Sequence, residues 1–193
     1  MSGLIDQLTQ QLSGNALESL SRSLGADRGQ TQNAMTAALP ILVGALARNA
    51  SKPGGAEALH KAISRDHDGS ILDDIAGAVS SPNLSDGQGI LKHVLGGRNQ
   101  NVQQGVAKAS GLGNDQVGKM LATLAPLVLG SLGRAKNTGG GMGIDDLANM
   151  LNGERQTMEK ETSGLGGMLA GLLDLDGDGS IIDDIAGKLF GRN

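Results

Sequence analysis

Apolar residues recur at helical spacing from the start of the chain. Leu4, Ile5, Leu8 and Leu12 share one face, with Asp6, Gln7, Gln10 and Gln11 opposite, which predicts a short amphipathic helix ending at Gly14. Ala16 to Leu24 predicts a second helix, stopped by Gly25. From about Thr31 a third places Met35, Leu39, Leu42, Val43 and Leu46 on one stripe, and Leu121, Ala125, Val128, Leu129 and Leu132 form the same stripe later. Ile41, Leu124 and Leu127 fall off these stripes, so both helices are apolar nearly all round and are expected to be central. Pro40 and Pro126 stand inside them, which predicts a kink or a fresh helix start, with the two helices crossing near Gly44 and Gly130.

The two stripes belong to a duplication. Pro40 matches Pro126, Gly44 matches Gly130, Arg48 matches Arg134 and Gly25 matches Gly111, all 86 residues apart. The glycine-rich stretches at Ala50 to Gly55 and Lys136 to Gly143 read as loops. Short helices follow them, carrying Ala58, Leu59, Ala62 and Ile63 in one copy and Ile144, Leu147, Met150 and Leu151 in the other. Ser80 to Asn83 is the junction. The expected fold is all-α: two tandem helical repeats, 1–80 and 84–193, packed as one bundle with pseudo-twofold symmetry. Residues 152–167 have few apolar side chains and no counterpart in the first copy, so they are expected to be a solvated, mobile insertion.

Beyond that insertion the repeat resumes 110 residues apart. Asp66-His67-Asp68-Gly69-Ser70-Ile71-Leu72-Asp73-Asp74-Ile75-Ala76-Gly77 matches Asp176-Gly177-Asp178-Gly179-Ser180-Ile181-Ile182-Asp183-Asp184-Ile185-Ala186-Gly187. With Asp174, the second copy resembles the first part of an EF-hand-type calcium loop: alternate carboxylates converge, a glycine makes the turn, and the Ser180 carbonyl follows. The twelfth position, a bidentate glutamate in such loops, is Ile185; either Asp183 or Asp184 closes the sphere from a tighter turn, or the site is incomplete and weak. The candidate Ca2+ ligands are therefore Asp174, Asp176, Asp178, Ser180, Asp183 and Asp184. The first copy offers a poorer set, Asp66, Asp68, Ser70, Asp73 and Asp74, because Ser64 replaces its first aspartate. A purely structural reading competes: Ser70-x-x-Asp73 and Ser180-x-x-Asp183 are helix-capping signatures ahead of apolar runs.

Other chemistry is sparse. The Gly139 to Gly143 run follows a helix and lacks a P-loop lysine. Asp73-Asp74 and Asp183-Asp184 are neighbours about 100° apart around a helix, so neither pair faces across a substrate. His60, His67 and His93 are scattered, and no nucleophile–base set stands out. The chain of 193 residues has no cysteine and one aromatic, Phe190. Its net charge of −4 divides into −6 over residues 145–193 and +2 over the rest, which argues against nucleic-acid binding. No apolar run approaches the roughly 20 residues that span a bilayer, and the N-terminus lacks the basic and apolar parts of a signal peptide, so a cytoplasmic setting is expected.

Gly89-Ile90-Leu91-Lys92-His93-Val94-Leu95-Gly96-Gly97, Ser110-Gly111-Leu112 and Leu124-Ala125-Pro126-Leu127-Val128-Leu129-Gly130 resemble the uncharacterised, YidB-like bacterial family, a domain of unknown function. The resemblance covers most of both halves. It implies a bacterial helical protein and supplies no catalytic residue or ligand. Two functions are carried forward: a non-enzymatic interaction or scaffold protein with a protein partner or itself as ligand, and a metal-dependent enzyme using the acidic loops in the groove between repeats.

Overall fold

A computed structural model of the protein describes residues 3–138 and 141–161, and every regular element among them is helical. Helix α1 (Leu4–Gln11) leads to α2 (Asn15–Leu24), which ends where Gly25 turns left-handed (φ 60°, ψ 41°). The Gly25 and Ala26 N–H groups then return to the carbonyls of Arg22 and Ser21, which closes the helix end. Helix α3 (Arg28–Ala50) begins earlier than its apolar stripe suggests, because the Asp27 carboxylate accepts from the Gly29 and Gln30 N–H groups at 2.7 and 3.3 Å. After α4 (Gly55–Asp66) come a 3-10 turn (Ser70–Asp74) and α5 (Ile75–Ser80). The second half follows as α6 (Leu84–Val94), one 3-10 turn at Gly96–Arg98, α7 (Asn99–Ser110), α8 (Asn114–Thr138) and α9 (Ile144–Glu161).

Helices α3 and α8 are central, as the apolar pattern predicts. Residues 120–133 of α8 are buried without interruption, so this helix has no solvent face across almost four turns. Leu42 is 2% exposed and Val128 0%. Both helices continue past Pro40 and Pro126 without restarting. An internal proline costs a helix about 3 kcal/mol, and the burial along these segments offsets that cost. Neither glycine of the expected crossing, Gly44 or Gly130, has the other central helix among the described atoms that a Cβ on it would meet. A Cβ on Gly130 would meet Ile71 Cγ2 at 2.5 Å, and one on Gly44 would meet no described atom within 4 Å. The tight approach between helices lies instead at Gly87, where a Cβ would strike the Ala122 carbonyl and hold α6 off α8.

The two halves interleave. Helix α3 packs on α7 and α9, while α8 packs on α2 and α4. Two glutamines mark the arrangement. Gln30 of α3 donates through Nε2 to the Gly111 carbonyl at the end of α7 (3.1 Å), and Gln116 of α8 donates to the Leu24 and Gly25 carbonyls at the end of α2 (3.0 and 3.3 Å).

Residues 152–161, expected to belong to a solvated insertion, continue α9; the rest of that stretch lies outside the described residues. Glu154 reaches across to α1, where Oε1 accepts the Leu4 N–H at 2.7 Å. That N–H is one of the unpaired donors of a helix N-terminus, so a side chain 150 residues away caps α1.

Candidate functional site

The acidic turn of the first copy is the candidate site. Helix α4 ends at Asp66, and Gly69 then takes φ 104°, a conformation open to glycine but strained for other residues. From there the Leu72 N–H returns to the Gly69 carbonyl at 3.1 Å and the 3-10 turn begins. The backbone has a second reason to use glycine here: a Cβ on Gly69 would lie 2.8 Å from the Arg134 Cβ.

Each carboxylate is engaged separately. Asp66 accepts two bonds from Arg65 Nε (3.0 and 2.9 Å) and one from Nη2 (2.7 Å). Asp68 accepts the Ser70 N–H at 3.0 Å, and Asp74 caps α5 by accepting the Gly77 N–H at 2.8 Å. Asp73 is paired with Arg134. The capping role that the Ser70-x-x-Asp73 pattern predicts is thus carried by Asp68 and Asp74. Ser70 opens the 3-10 turn instead, and no side chain caps that turn at Gly69. The hydrogen bonds from Arg65 hold the Asp66 carboxyl below its ordinary pKa, against the opposing effect of desolvation. The Ser70 backbone N–H, seconded by its hydroxyl, does the same for Asp68.

These five residues therefore do not converge. Four carboxylates face four different partners, and among the described residues no group of three or more His, Cys, Asp or Glu side chains is placed to hold a metal ion. A guanidinium beside Asp73 is itself a fixed cation where a bound one would have to sit. Asp174, Asp176, Asp178, Ser180, Asp183 and Asp184 lie outside the described residues.

The partners that sequence reading missed come from the last turns of α8. Arg134 Nη2 donates to the Gly69 carbonyl at 2.9 Å as well as to Asp73, Asn137 Nδ2 donates to the Asp68 carbonyl at 2.9 Å, and Lys136 Nζ donates to Ser64 Oγ. Gly130 and Gly133 clear the floor beneath: Ile71 sits over the first, and the His67 carbonyl over the second. The signal was present as Gly130-x-x-Gly133-Arg134, small residues and a cation within one turn of each other on α8.

Residues 6–135 match the model of a family described as "Bacterial protein of unknown function (DUF937)". The chain belongs to this family. The DUF937 match takes in the acidic turn and both central helices, and it stops at the residue after Arg134, ahead of α9 and the second acidic motif. No curated protein and no solved structure matches this DUF937 chain. No helix among its described residues is long and apolar enough to cross a membrane.

Proposed function

We propose that this DUF937 protein is a non-enzymatic bacterial interaction protein. In this reading it is built from two copies of one helical unit packed about a pseudo-twofold axis, and it binds a protein partner or a second copy of itself. One observation carries the reading. The segment with the chemistry of a cation site or an active site commits its carboxylates to its own fold, as helix cap, turn cap and clasp to α8. The paired glutamines support the two-copy build: Gln30 and Gln116 stand 86 residues apart, as do their acceptors Gly111 and Gly25, so each unit completes a helix end of the other. The left-handed glycine caps and the proline-containing long helices correspond in the same way.

The test is a screen of hydrolase substrates with and without Ca2+ or Mg2+. No turnover is expected; metal-dependent turnover that Asp73→Asn or Asp74→Asn abolishes in a folded protein would overturn the proposal. Calorimetric titration with Ca2+ addresses the ion separately. Heat removed by Asp68→Asn/Asp74→Asn would refute the structural role given to the first turn, and heat removed only by Asp176→Asn/Asp178→Asn would put the ion in the second copy. Sedimentation velocity over a range of concentrations then distinguishes self-association from binding to a different protein, and cell fractionation tests the expected cytoplasmic setting.

A further inference from the structure

The seam between the two halves is built from contacts that each join a residue before Ser81 to a residue after Pro82. Helix α3 lies on α7, α8 and α9, and the 3-10 turn at Ser70–Asp74 lies on α8. Gln30 and Gln116 cap helix ends across the seam, and Glu154 holds the Leu4 N–H. The same contacts form when the second half belongs to another copy of the chain. The two arrangements share this seam and differ in the path of the link between α5 and α6.

That link is Ser81-Pro82-Asn83, and its local bonds divide cleanly. Helix α5 packs on α2 and on the 3-10 turn, whereas α6 packs on α8, so each belongs to its own half. The Ser81 N–H donates to the Gly77 carbonyl at 3.0 Å and closes α5. The Leu84 N–H donates to the Pro82 carbonyl at 3.0 Å and the Asp86 N–H to Asn83 Oδ1 at 3.2 Å, which opens α6. Rotation about ψ of Ser81 leaves all three bonds intact. That angle is 65°, with φ −132°. A proline favours ψ of about 120–160° in the residue before it, so Pro82 draws the link toward a straighter path. A straight link carries α6 to α9 away from their own first half. We infer that the protein self-associates by exchanging halves: α1 to α5 of one copy take α6 to α9 of a second, with Ser81–Asn83 as the hinge. The inference rests on the interaction-protein reading and names its partner as a second copy of this chain. An exchanged dimer separates only by opening the core, so it dissociates at the rate of unfolding.

The test is sedimentation velocity on the full chain, refolded from urea over a range of concentrations. A dimer is expected to grow with concentration and, once isolated by size exclusion, to persist on dilution until urea reaches the unfolding transition. A short glycine–serine stretch inserted between Ser81 and Pro82 lets each chain fold back on itself and is expected to abolish the dimer. Pro82→Ala, at a half-buried position, is expected to lower the dimer fraction severalfold, and it keeps the test open should the insertion disturb the fold. A chain that stays monomeric throughout would overturn the inference and leave a different protein as the partner. A dimer that neither change affects, or one that separates at once on dilution, would overturn the exchange and leave self-association through another surface.

Discussion

Gly133→Ala sets two effects of opposite sign against each other. Replacing a glycine inside a helix by alanine stabilises the helix by about 1 kcal/mol, because glycine has more backbone freedom to lose. At this position the added methyl would run into the His67 carbonyl oxygen and stand 2.9 Å from the Asp68 carbonyl carbon. The obstacle is backbone, and it cannot swing aside freely, since the Gly69 and Asp68 carbonyls are held by Arg134 and Asn137. Relief means lifting the turn from α8. That exposes Leu72, now 7% exposed, at about 2 kcal/mol, and weakens two hydrogen bonds at about 0.5 kcal/mol each. The loss of about 3 kcal/mol outweighs the gain, leaving about 2 kcal/mol of net destabilisation. In a chain of this size that lowers the melting temperature by about 4–8 °C. Urea unfolding followed by circular dichroism measures it, with Gly153→Ala as the control: this glycine is exposed within α9, has no described neighbour within 4 Å, and should show the propensity gain alone. A Gly133→Ala protein as stable as the parent would refute the idea that the turn is pressed onto α8.

Three further outcomes follow from single contacts. Gln30→Ala and Gln116→Ala should each cost about 1 kcal/mol in urea unfolding, because each leaves a helix-end carbonyl without its donor from the other unit; two neutral substitutions would remove the main support for reciprocal capping. Glu154→Ala should destabilise by about 1 kcal/mol and speed hydrogen exchange at the Leu4 amide, whereas unchanged exchange there would mean that α1 is capped otherwise. Asp66 and Asp68 have folded pKa values below their unfolded ones, so their stabilisation is present above about pH 4 and is lost as the pH falls through the lowered folded values. Urea midpoints measured down an acid series should therefore fall less steeply for Asp68→Asn than for the parent.

The helices were legible because their information is local. Leu42 and Val128 announce their burial through the apolar residues around them, and Gly25 announces a helix end in one letter. What could not be read is what one element does to another. Gly44 and Gly130 stand 86 residues apart in matching sequence, yet a Cβ on Gly130 would meet Ile71 and one on Gly44 would meet no described atom within 4 Å, a difference that the local sequence does not carry. The Asp68 and Asp73 carboxylates suit a cation loop as well as they suit caps, and the partner that Asp73 takes is Arg134, sixty-one residues beyond it. The stretch after Leu151 looked like a loop for want of an apolar face. Its helix is tied down by Glu154 on the Leu4 amide, a contact with no periodicity to betray it.

The interleaving of the two halves bears on how the chain can fold as it is synthesised. When α1 to α5 have left the ribosome, the donor for the Gly25 carbonyl is still 91 residues away, and the helices that cover α3 and seat the acidic turn do not yet exist. The N-terminal half therefore carries an exposed leucine-rich stripe until α7, α8 and α9 arrive, and closure depends on contacts of long sequence separation, which are slow to form. Severing the chain at Ser81 should leave two fragments that are each poorly structured alone and that recover the native circular dichroism spectrum when mixed.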